Sequence, residues 1–125
     1  MIIYKMSYTL TTQGECKLKT GVADATIDAS LSSANLDKWG DEAEGLISSQ
    51  ARYDVVTNYA SLTTEGKKIL SSIMSAWVAQ KIAFYLRDEY STREMELLMD
   101  ALENDIRRGM AIIRDDKIKT YLNIS

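Results

Sequence analysis

The chain has no histidine and no proline among its 125 residues, and one cysteine, Cys16. Without histidine it lacks the side chain most used as a general base near neutral pH, and also the commonest metal ligand. One cysteine closes no intrachain disulfide and completes no zinc site. As a nucleophile Cys16 has no evident base, so an inert, buried thiol is expected. The absence of proline means that no helix is kinked from that cause. Glycine is sparse, and its six positions are isolated and fit no phosphate-binding fingerprint. No stretch approaches the roughly 18 apolar residues that a bilayer crossing needs. The opening Met1-Ile2-Ile3-Tyr4-Lys5 lacks the apolar core of a signal peptide. These features lead us to expect a soluble, intracellular protein. A basic surplus is missing too: the net charge of −3 argues weakly against a free-standing nucleic-acid binder.

What is present is ordinary for a folded protein. Hydrophobic residues make up 46% and charged residues 26%, enough for one domain with one modest core. Six methionines suit either adaptable core filling or a contact surface that can repack.

Residues 1–22 alternate. Ile2, Tyr4, Met6, Tyr8 and Leu10 share one parity against Lys5, Ser7, Thr9 and Thr11. Cys16, Leu18 and Val22 continue it beyond a possible turn at Gln13-Gly14. A period of two with β-branched and aromatic residues predicts a β-hairpin or extended arm. Residues 23–36 are small and polar and read as a linker. A helix is expected from about Asp37 to Ser48, and a short one around Asp54–Tyr59 with Asp54 as cap.

The next helix opens at Thr63 or Thr64 and is expected to run to about Asp88. Its apolar residues wrap more than half its circumference, which places it centrally. Ser91-Thr92-Arg93-Glu94 is a capping box. Met95, Leu98, Leu102, Ile106, Met110 and Ile113 then follow at 3- and 4-residue steps on one face. The short connection makes the two long helices antiparallel neighbours. Gly109, inside that face, either marks a close helix–helix contact or is incidental. The fold expected is mainly α: an antiparallel helical bundle over 37–115 with an N-terminal strand-like arm (1–36) and a C-terminal tail (116–125).

No catalytic constellation emerges, and an enzyme is not expected; no cofactor or metal is implied. Glu96, Asp100 and Glu103 form an acidic stripe that ion pairs with Arg93 and Arg107 explain better than a metal does. Asp41, Glu42 and Glu44 suit the dipole at a helix start. Arg107, Arg108, Arg114, Lys117 and Lys119 cluster late, partly complementing a helix C-terminus. Of the two tryptophans, Trp77 fits a core position, whereas Trp39, close to the polar arm, is a candidate subunit contact together with Tyr4 and Tyr8.

Asp41-Glu42-Ala43-Glu44-Gly45-Leu46-Ile47 and Ala51-Arg52-Tyr53-Asp54 resemble the opening of head-to-tail adaptor (connector) proteins of tailed bacteriophages. The following helix with Lys67-Lys68-Ile69-Leu70 and Ala76-x-x-Ala79, then Tyr90-Ser91-Thr92-Arg93-x-x-x-Glu96, then Leu102, Ile106 and Arg114-Asp115-x-Lys117, extend the resemblance over roughly residues 40–122. It implies a virion protein of the neck, made in the host cytoplasm. Such proteins are oligomeric rings, typically of twelve subunits, that join the portal to the next neck or tail component. They continue the channel through which DNA passes without sequence-specific binding, and no membrane is involved. The resemblance places a portal-docking tail at Ile118, Tyr121, Leu122 and Ile124. On that basis, removing the residues after Asp116 is expected to leave a folded bundle that no longer joins the portal. A net negative chain also suits a wall past which a polyanion slides. The alternative is a small helical regulatory or chaperone-like binding module that works as a dimer.

Overall fold

The computed structural model describes residues 8–124. Six α-helices follow one another: α1 (Gln13–Leu18), α2 (Asp24–Ser30), α3 (Ser33–Ala51), α4 (Thr64–Tyr85), α5 (Thr92–Arg114) and α6 (Asp116–Leu122). Two short 3₁₀ turns, Tyr59–Ser61 and Arg87–Glu89, flank α4. There is no strand among the described residues.

The helical bundle is as expected, and its two long members are capped as the sequence indicates. Thr63 Oγ1 accepts the Gly66 N–H at the start of α4. Ser91 and Glu94 exchange both hydrogen bonds of the capping box at the start of α5. The two helices run antiparallel: Gln80 of α4 reaches Met99 and Glu103 of α5, while Ile73 of α4 lies against Gly109 of α5. A Cβ built on Gly109 would stand 2.1 Å from Ile73 Cγ1. This glycine therefore sits where the two helices approach too closely for a methyl group, which resolves the two readings left open for it. α4 is central, touching α1, α3, α5 and α6. Leu70, Ile73, Met74, Ala76, Val78, Ala79 and Ile82 are all fully buried along it.

Four expectations are corrected. The hairpin does not form over residues 8–22: Gln13–Leu18 is a helix, started by Thr12 Oγ1 accepting the Glu15 N–H. The alternating pattern breaks there, with Cys16 buried against the core and Leu18 73% exposed. Packing of one helical turn against α4 outweighs a β-like composition. The first half of the proposed hairpin, including Ile2, Tyr4 and Met6, lies outside the described residues. The linker over 23–36 is instead largely helical, because α2 and the first turn of α3 bring Ile27, Leu31 and Leu36 into the core. The expected helix at 54–59 is replaced by turns and a 3₁₀ segment, although Asp54 does cap locally by accepting the Thr57 N–H.

The fourth correction concerns the C-terminal segment. Residues 116–122 form α6, which folds back on the body, and Asp115 both ends α5 and caps α6 by accepting the Lys117 and Ile118 N–H groups. Leu122 and Ile124 belong to the same core as Leu10, Cys16 and Ile27.

Candidate interaction surfaces

The four residues read as a docking tail divide into two pairs. Leu122 and Ile124 are 2% and 0% exposed, so their apolar surface is spent inside their own molecule. The backbone around them is tied down as well. The Leu122 carbonyl accepts from both the N–H and the hydroxyl of Thr63, Asn123 donates to the Ser61 carbonyl, and Lys119 donates to the Ala51 carbonyl. Lys119 thus covers the C-terminal end of α3 with a buried cation, where the helix dipole favours positive charge. Gly66 leaves just enough room for this docking: a Cβ there would be 3.0 Å from the Leu122 carbonyl oxygen. Ile118 and Tyr121 behave differently. They point outward, Tyr121 at 70% exposure, and Lys117 lies exposed beside them on the same helical face.

The aromatic residues suggested as subunit contacts are mostly engaged internally. Tyr8 is half-buried and its hydroxyl donates to the Leu36 carbonyl at 2.5 Å. Burial raises its phenol well above the ordinary tyrosine range, with nearby acidic groups adding to the effect. Trp39 is half-buried and meets Tyr85 edge to face at 6.3 Å between ring centres. Tyr4 lies outside the described residues. Trp77 is partly buried; it floors a groove between α3 and α5 with Leu46, Ile106 and Met110, and Lys81 lies over its ring.

Glu44 is not at a helix start. It lies within α3, 3% exposed, and accepts the backbone N–H groups of Thr9 and Leu10 at 2.8 and 3.1 Å. This carboxylate fastens residues 8–10 to the body, a role that a helix-dipole reading misses. The acidic stripe on α5 is also resolved in part. Glu103 pairs with Arg107 at 3.2 Å and accepts from Gln80, but Glu96 forms no bridge with Arg93. Among the described residues, no three histidine, cysteine or acidic side chains gather closely enough to hold a metal ion. Cys16 is buried, and burial pushes its thiol up to about 12. The late basic cluster is dispersed: Lys119 is buried, Arg107 is paired, and Arg114 donates to the Met110 carbonyl of its own helix.

A surface that sequence reading did not single out lies where α4 hands over to α5. Phe84 and Tyr85 are 59% and 55% exposed at the end of α4, and Leu97 stands out from the first turns of α5. Phe84, Met95 and Met99 line an open, mainly apolar groove edged by Arg87, Glu96 and Asp100, and Arg87 lies over the Phe84 ring at 5.5 Å. The sequence did carry a signal for it. Met95, Leu98 and Met99 extend the apolar face of α5 over about two turns before Leu102, the first of its residues to be buried, and there the bundle covers the stripe only in part.

Comparison with known protein families, with curated proteins and with solved structures finds no match to this chain.

Proposed function

We propose that the protein is a structural adaptor of a phage neck. It would assemble as a ring that joins the portal to the next neck or tail component and continues the DNA channel. The observation that carries this reading is the separation of core from surface. A single core takes in residues from Leu10 to Ile124, yet large apolar side chains remain uncovered, and besides Leu18 and Leu46 they fall on two parts of the chain. One is the α4–α5 tip with Phe84, Tyr85 and Leu97; the other is the outer face of α6 with Ile118 and Tyr121. Phe84 and Tyr85 are chain neighbours, and Ile118 and Tyr121 share a helical face; grouped apolar side chains outside a satisfied core commonly mark an interface. The resemblance over residues 40–122 supplies the kind of assembly. Leu122 and Ile124 are occupied within the molecule and drop out of the docking role read for the four tail residues, while Ile118 and Tyr121 remain exposed for contact with another subunit.

The test is direct. Purified protein is mixed with a portal oligomer encoded beside it and viewed by electron microscopy. A closed ring seated on one end of the portal is expected. A stable dimer that forms no cyclic species in the presence of the portal overturns the adaptor role and favours a dimeric binding module.

A further inference from the structure

We infer that the two uncovered surfaces are partners for each other on adjacent copies of this chain. The outer face of α6 on one copy seats in the α4–α5 groove of the next. The apolar chemistry corresponds: Tyr121 is exposed with Ile118 beside it on one helical face, and Phe84, Met95 and Met99 line an open groove with room for a side chain. The charges correspond as well. Lys117 shares the outer face of α6 with Tyr121, while Asp116 lies on the flank away from Ile118. The groove rim carries Glu96 and Asp100. Among the described residues, none of Lys117, Glu96 and Asp100 is in an ion pair within the molecule. Among the described residues lining the groove the one cation is Arg87, which is engaged over the Phe84 ring.

A molecule cannot satisfy both surfaces by itself. From Met99 to Arg114 the continuous helix α5 carries the chain about 22 Å, at 1.5 Å per residue, away from the groove before α6 begins. Within one copy α6 is also held elsewhere, by Lys119, Leu122 and Asn123. Two different patches that fit one another make a heterologous contact, which closes into a ring when the rotation permits and otherwise extends as a filament. The inference deepens the ring reading and rests on it, because a head-to-tail contact repeated by rotation is what a ring requires.

The experiment measures self-association of the full chain by sedimentation velocity, with far-ultraviolet circular dichroism confirming that each variant is folded. Lys117→Glu, Tyr121→Ser and the pair Glu96→Lys/Asp100→Lys all alter exposed side chains. Each is expected to weaken association by about tenfold or more. Combining Lys117→Glu with Glu96→Lys/Asp100→Lys in one chain exchanges the two signs and is expected to restore association to near the wild-type level. Unchanged association in the separate variants, or no recovery in the combined one, overturns the contact. So does a wild-type chain that stays monomeric up to about 1 mM, the weak end of specific association. The two readings fail separately. Rings on the portal that ignore these substitutions keep the adaptor role and remove this contact. Weakening and recovery by charge exchange, without a closed ring on the portal, keep the contact and remove the adaptor role.

Discussion

Gly109 shows what one missing methyl group does here. It lies opposite Ile73, and α4 and α5 approach so closely that an added Cβ would overlap Ile73 Cγ1 and Cδ1 at 2.1 and 2.7 Å. In an exposed helix, glycine to alanine gains roughly 1 kcal/mol from propensity; at this position the clash reverses the sign. Gly109→Ala is expected to destabilise the protein by about 1–3 kcal/mol, the usual cost of overpacking. The check is a urea unfolding series that includes Ile73→Ala and the double variant. The double variant should cost less than the sum of the two single changes, because each relieves the other. Strict additivity would remove the close-approach explanation. At this scale the sequence was legible only in part. The position of Gly109 on the buried face was plain, but its purpose depended on which residue of another helix stood opposite. Glu44 was less legible still, since its partners are backbone groups of Thr9 and Leu10, more than thirty residues away.

At the scale of elements, the long helices were readable because each carries several independent signals that agree. α5 has a capping box, an unbroken apolar stripe and a basic residue in its last turn. α1, α2 and α6 are only six or seven residues long and have no propensity strong enough to stand alone. They are helical because neighbours cover one side of them, and periodicity within such short windows could not announce that. α6 makes the point quantitatively. Truncation after Asp116 removes Leu122 and Ile124 from the core, at about 1.5–3 kcal/mol each. It also removes the bonds to Thr63, Ser61 and Ala51. The truncated protein is expected to be at least about 3 kcal/mol less stable, a large share of the stability of a small domain. Thermal melting followed by circular dichroism checks this, and an unchanged midpoint would contradict the docking of α6.

For the molecule as a whole, the relevant fact is that one core draws on both flanks of the bundle. Cys16 on α1 reports on the integrity of that core. Its thiol is buried, and burial pushes its titration up to about 12, which keeps it protonated at pH 8. A disulfide reagent such as Ellman's is therefore expected to leave the native protein unlabelled at pH 8 and to react at once in denaturant. The slow native rate then measures how often α1 lifts away from α4. Prompt labelling of the native protein would contradict the packing of α1. Fold class was legible at this scale from composition and the two long helices. The location of the uncovered apolar surface was not, because it depends on where the bundle stops covering a stripe that continues in sequence.

The way α6 is held has a consequence for synthesis. Lys119, Leu122 and Asn123 reach back to Ala51, Thr63 and Ser61 across 59 to 68 positions of chain. A ribosome will have made the whole of α3, α4 and α5 before the piece that seals the space beside them exists. Until residue 124 has been translated, the core lacks Leu122 and Ile124, and the carbonyls of Ala51 and Ser61 lack their partners from the last helix. During that interval the growing polypeptide is most exposed to chaperones and to misassociation, and a stop codon placed before Leu122 would make the interval permanent.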